Sequence, residues 1–239
     1  MTADILAIGA HPDDVELGMA GSMLVFARSG IRTAIVDLTR GELGSRGSAD
    51  IRDREAAEAA KRMGLSGREN LRLPDGHVQD DDSSRMAVVR LLRKYRPGVV
   101  FTHHARDISG HPDHHACYDL VRHACYLSGL AKIDTGQERH RPAAIVNFNL
   151  ARHVFPSFVV DVTEVYPESR KVLASYSSQF HNPTSAEPET YLSRAAFLPH
   201  VEALHRYYGS LIGVEFGEAF WCDRPLRLSN PLAAFVAIR

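Results

Sequence analysis

Residues 5–10, Ile-Leu-Ala-Ile-Gly-Ala, form an unbroken apolar run without alternation. A strand of that kind is buried on both faces, and a sheet covered by helices on both sides is where such strands fit. The pattern repeats along the chain. Strand candidates at 5–10, 33–38, 70–73 and 99–103 alternate with helix candidates at 14–29, 49–63, 82–95 and 112–128. Gly30 and Gly64 stand where the first two helices must stop, and Pro97 follows the third. This rhythm predicts an α/β fold: Rossmann-like and doubly wound, with a mostly parallel sheet and helices on both faces.

The last third of the chain keeps a different rhythm. Strands are expected at 143–149 and 158–162, helices at 164–178 and 191–208, and a final strand at 233–238. The segment 179–189 is rich in Pro, Ser, Thr and Asn and reads as a loop. No repeat or linker divides the chain, so one domain over 1–239 with a C-terminal α/β elaboration is expected.

The charge balance narrows the partners. A net charge of −1 offers no electrostatic case for nucleic acid or an acidic membrane. No apolar stretch reaches the ~20 residues that a membrane helix needs. Cys117, Cys125 and Cys222 form no CxxC pair, and the amino terminus lacks the basic and apolar regions of a signal peptide. A cytoplasmic location is therefore expected. Cys117 and Cys125 read as small buried apolar residues.

Chemistry concentrates at two places. Ala10-His11-Pro12-Asp13-Asp14-Val15-Glu16 closes the first strand and opens the first helix. His111-Pro112-Asp113-His114 follows the fourth strand in the same setting. In parallel sheets the ligand crevice lies beyond the carboxyl ends of the strands. If these two strands are neighbours, the motifs face each other across it. Pro12 and Pro112 suit a first helical turn, where no amide donor is lost. His111 and His114, three apart, share one helix face.

Three protein ligands with an open water position make a catalytic zinc site. Two histidines and a carboxylate also describe non-haem iron, so the donors admit Zn2+ or Fe2+. The acids and histidine left over suit hydrolysis better than oxygen activation. Either motif alone also reads as a capped helix start, with aspartates offsetting the dipole. Two of them at two strand ends make that reading weaker. A nucleotide-binding module would need a glycine-rich first turn; this one offers carboxylates, which repel a pyrophosphate.

The two motifs resemble the PIG-L/LmbE superfamily of zinc-dependent N-acetylglucosaminyl deacetylases. Further stretches resemble its bacillithiol-pathway type. They are Asp37-Leu38-Thr39-Arg40-Gly41-Glu42-Leu43-Gly44-Ser45-Arg46-Gly47, Ile51-Arg52 with Glu55-Ala56, Asn70-Leu71-Arg72-Leu73-Pro74-Asp75-Gly76, Phe158-Val159-Val160-Asp161-Val162-Thr163 and Ser175-Tyr176-Ser177-Ser178-Gln179-Phe180. The resemblance implies hydrolysis of the acetamide of a small amino sugar, N-acetylglucosaminyl-malate. A mycothiol precursor or a chitobiose unit is the alternative substrate. It implies metal ligands at His11, Asp14 and His114, and a general base at Asp13. It puts an acid or oxyanion-stabilising histidine at His111, an aspartate orienting that ring at Asp113, and an arginine near the transition-state oxygen at Arg52. It also implies a homo-oligomer, a trimer or hexamer.

Malate carries two carboxylates, and arginine holds carboxylates in a bidentate fork. Arg46 and Arg52 are therefore candidate anchors, with Glu42 beside them at the crevice edge. One departure from the family stands out. The segment 105–110 before His111 is about two residues longer than the family's, and Asp107 in it reads as a turn residue. Pro74-Asp75-Gly76 reads as a turn without a catalytic role. His103 and His104 end the fourth strand and could support a metal ligand from behind, but a satisfied polar strand end is the preferred reading; Phe220 and Trp221 read as packing residues in the core or a subunit interface.

Overall fold

The computed structural model describes residues 2–228. Strands β1 (Ile5–Gly9), β2 (Thr33–Asp37), β3 (Gly67–Asn70), β4 (Val99–His103) and β5 (Ala144–Phe148) form one sheet in the order β3-β2-β1-β4-β5. Every pairing in it is parallel. Helices α1 (Asp14–Arg28), α2 (Ala49–Met63), α3 (Asp82–Tyr95) and α4 (Pro112–Ser128) connect the strands, and α5 (Tyr166–Leu173) comes later.

Strand periodicity explains the two cores. Ile5, Ala7, Ile35, Phe101 and Val146 point to one face and pack with α1, α2 and α5. Leu6, Ile8, Ala34, Val36 and Val100 point to the other and pack with α3 and α4. Both sheet faces are thus covered, as the unbroken apolar runs require. The α/β architecture expected from the sequence is the one observed.

The differences lie at an edge and in the last third. Strand β3 starts earlier than expected, at Gly67, because it is polar: its half-buried Arg68 lies between Asp37 and Glu16 at 2.8 Å and 2.5 Å. The expected helix at 164–178 shortens to a 3-10 turn, Thr163–Val165, followed by α5. Helix α6 spans Phe197–Ile212, later than expected, because Thr190 and Ser193 bond to each other's backbone and form a turn instead. Strand β6 (Phe158–Asp161) pairs antiparallel with β7 (Gly217–Phe220), a strand the apolar pattern did not reveal. The expected strand at 233–238 lies outside the described residues. Among the described residues, no helix is long and apolar enough to cross a membrane.

Two features place the site. The chain runs from β1 outward to β3, then returns to β4 on the other side of β1, so β1 and β4 are neighbours, with Ile8 opposite Thr102. The loops leaving them diverge, and a crevice opens between them. Second, α1 is kinked at Met19, where φ is −159° and ψ is 26°. The amides freed there, Gly21 N and Ser22 N, donate to the Glu218 carboxylate of β7 at 2.8 Å and 2.6 Å. A distant strand thus caps the second half of the helix that starts at the site.

Candidate active site

The chain turns from β1 into α1 within a few residues, and Asp13 takes the strain. Its φ is 109°, a conformation that a side chain disfavours. Three contacts hold the turn there. Arg52 of α2 donates to the Pro12 carbonyl at 2.5 Å and to Asp13 Oδ2 at 3.2 Å through Nη2, and to the Gly41 carbonyl at 3.1 Å through Nη1. The approach to Gly41 leaves no room for a side chain: a Cβ there would run into the Arg52 guanidinium. Arg52 and Asp13 are both buried.

Asp14 is the hub of the crevice. Its Oδ2 accepts the His11 amide at 2.7 Å and lies 3.3 Å from His11 Nδ1. Its Oδ1 lies 3.1 Å from His114 Nε2. The first motif of the sequence therefore meets the second, as the expectation required. His111 stands at the exposed mouth, its ring edge-on to His11 with centroids 4.7 Å apart. His111 Nδ1 accepts the Asp113 amide, which leaves the proton of a neutral ring on Nε2.

Other carboxylates stand behind these rings. Asp75 Oδ1 and Asp113 Oδ2 lie 3.1 Å and 3.3 Å from His11 Nε2. Asp113 was expected to orient His111; its carboxylate faces His11 instead. The cause is the loop after β3, whose Gly76 and Val78 amides donate to Asp113 and turn it toward β1. Asp75, read from the sequence as a plain turn residue, arrives on that same loop. Asp107 is also no solvated turn residue. Its side chain is 0% exposed and bonds the Nδ1 atoms of His103 and His114 at 3.2 Å and 3.0 Å. The signal available in the sequence was position alone: Asp75 and Asp107 follow strands at their carboxyl ends.

Two further expectations meet different surroundings. Arg46 is buried, and its guanidinium donates to the carbonyls of Ser178, Glu187 and Pro188. Glu42 accepts the amides of Asp75 and Arg40. Both contacts organise loops. His104 packs edge-on against Trp221, and Phe220 is buried.

The electrostatics favour a cation. Burial works against charge on His114, yet Asp14 and Asp107 push it up to about 10. Burial likewise opposes charge on His11, and Asp14, Asp113 and Asp75 raise it well above the usual imidazole range. Burial would raise Asp14, but His114, His103 and His11 hold it well below the usual carboxylate range. The histidines take up protons where a positive charge is wanted. Imidazole nitrogens and carboxylate oxygens within a few ångströms suit a divalent metal ion, and three overlapping groups of donors converge here: His11–His111–His114, Asp14–His103–His114 and His11–Asp75–Asp113. Asp13 behaves differently: burial pushes it up to about 7 despite Arg52. Burial, together with the charge of His11 and His114, lowers His111.

Comparisons with known proteins place the chain among deacetylase relatives. Residues 6–125 match the PIG-L family model, described as GlcNAc-PI de-N-acetylase. The chain is 26% identical to the diacetylchitobiose deacetylase of Thermococcus kodakarensis over 90% of this chain and 80% of that one. Among solved structures it is similar to the conserved protein TT1542 of Thermus thermophilus, with 33% identity, a TM-score of 0.86 and coverage of 95% and 97%. It is also similar to the N,N'-diacetylchitobiose deacetylase of Pyrococcus horikoshii complexed with its inhibitor MPG, with 25% identity, a TM-score of 0.79 and coverage of 92% and 84%.

Proposed function

Because the chain belongs to the PIG-L family of GlcNAc-PI de-N-acetylases, we propose that it is a metal-dependent deacetylase of an N-acetylglucosaminide. One observation carries the reading. Asp14 touches both His11 and His114, bringing two strand ends together, while the adjacent Asp13 is held by Arg52. His11, Asp14 and His114 would hold the ion, Zn2+ or Fe2+. When bound, the ion acidifies a water and polarises the acetamide carbonyl.

The chain's own residues do the proton work. Asp13 removes a proton from the attacking water as the carbonyl becomes tetrahedral. Its value of about 7 suits both taking that proton and handing it to the departing amine. Arg52 keeps the base in its strained place and balances its charge. His111, neutral and protonated on Nε2, donates to the developing oxyanion or to the leaving nitrogen. The carbon–nitrogen bond breaks, leaving acetate and a free sugar amine.

The segment 37–47 supports N-acetylglucosaminyl-malate as the substrate, through its likeness to the bacillithiol-pathway type. A second reading is diacetylchitobiose, the substrate named for relatives that cover most of the chain. Arg46 favours it, since its guanidinium is engaged by carbonyls and offers malate no free fork. Acetate release from both compounds and from N-acetylglucosamine tests the choice. Faster release from the malate conjugate than from chitobiose supports the first reading, and the reverse order supports the second. No release from any of the three removes the deacetylase assignment.

A further inference from the structure

His103 and His114 lie face to face, with centroids 3.9 Å apart and planes 20° from parallel. A carboxylate stands at each end of the pair. On one side Asp14 Oδ2 and Oδ1 lie 3.2 Å and 3.1 Å from the two Nε2 atoms. On the other, Asp107 Oδ2 and Oδ1 lie 3.2 Å and 3.0 Å from the two Nδ1 atoms. His103 and Asp107 have side chains that are 0% exposed.

Asp107 meets donors on both oxygens. Oδ1 accepts the Ser109 amide at 2.7 Å and the Ser109 hydroxyl, in addition to facing His114. A carboxylate so surrounded stays ionised and accepts only, so each imidazole gives it an Nδ1 proton. With Nδ1 engaged by Asp107, His114 turns only Nε2 to the Asp14 side, and Nε2 is the atom it would offer an ion. The Nε2 of His103 also faces Asp14, but the Ala10 amide meets it at 3.3 Å. His103 is thereby occupied, and His114 is left free to ligate.

We infer that Asp107 and His103 are positioning residues for the metal centre: Asp107 fixes His114 as the Nδ1-protonated tautomer, and the stacked His103 holds the ring in its plane. The inference rests on the metal-centre reading above. It also gives the lengthened 105–110 segment a purpose. That segment folds Ser109 back under Asp107, and the Asp107–Leu150 bridge ties it to the end of β5. Carboxylates behind ligating histidines typically change metal affinity by ~10–100-fold when removed.

The test is zinc affinity by competition with a chelating dye, read on the full chain and on Asp107→Asn. An asparagine presents one oxygen and one NH2, so it satisfies only one of the two Nδ1 protons. The expected result is a Kd raised ~10–100-fold, with an unchanged circular dichroism spectrum. An unchanged Kd in a folded variant overturns the inference and leaves the metal centre standing. In parallel, 15N-correlated NMR of the zinc-loaded wild type should show His114 protonated on Nδ1 and ligated through Nε2. Ligation through Nδ1 overturns the inference whether or not the variant folds. A wild type that binds no zinc overturns both this inference and the metal-centre reading.

Discussion

Asp13 and Asp14 are adjacent, chemically identical and differently employed. The turn separates them: Asp13 sits at positive φ against Arg52, while Asp14 opens the helix and reaches the histidines. Asp13→Ala should keep the metal and lose ~100-fold or more in turnover, measured as metal content and acetate release on one sample. Removing Arg52 should act through the same carboxylate. Burial already raises Asp13 and Arg52 lowers it, so Arg52→Ala should move the acidic limb of the activity profile to higher pH. An acidic limb that stays in place would show that Arg52 does not set the state of the base. The donors legible in the sequence were the ones adjacent in it: His11, Asp13 and Asp14 in one motif, His111 and His114 in the other. Asp75, Asp107 and His103 were not legible. Each comes from a strand end or loop where a polar residue looks ordinary, and only tertiary approach brings it to a ring.

At the scale of elements, the least legible part is the pair β6–β7. A four-residue strand, Gly-Glu-Ala-Phe, with a charged residue buried inside it carries no apolar run to detect. Its Glu218 does specific work at the kink of α1. Burial pushes that carboxyl up to about 7, although the Gly21 and Ser22 amides oppose the shift. The folded state therefore holds a proton that the unfolded chain releases near its ordinary value of 4.5. Stability from this group is fully present below that value and is lost as pH rises toward 7, by about 3 kcal/mol in all. Denaturant titrations across that range should show a steeper loss of stability in the wild type than in Glu218→Gln. Equal slopes in the two proteins would mean that Glu218 is not titrating there.

For the molecule as a whole, the sheet order decides everything else. Because β1 and β4 are neighbours, two motifs about a hundred residues apart share one crevice. The alternation of apolar runs and helices made this order expected, since a parallel sheet needs crossovers and a switch point. The apolar pattern did not show how the last third closes over the first. Arg46 is one of those closures, joining the loop after β2 to the carbonyls of Ser178, Glu187 and Pro188. Arg46→Ala should therefore lower thermal stability, by ~1–3 kcal/mol for the lost buried hydrogen bonds. It should leave the ratio of KM values for N-acetylglucosaminyl-malate and N-acetylglucosamine unchanged. A selective rise in KM for the malate conjugate would restore Arg46 as an anchor for carboxylates.

The central claim is a hydrolytic metal centre in which His11, Asp14 and His114 hold the ion and Asp13 moves the proton. Acetate release from an N-acetylglucosaminide, with bound metal counted in the same samples of wild type and Asp13→Ala, tests it most directly. The expected result is about one ion per chain in both proteins, and acetate from the wild type alone. Wild-type protein that carries the ion and releases no acetate, or an Asp13→Ala variant that turns over like the wild type, would contradict it.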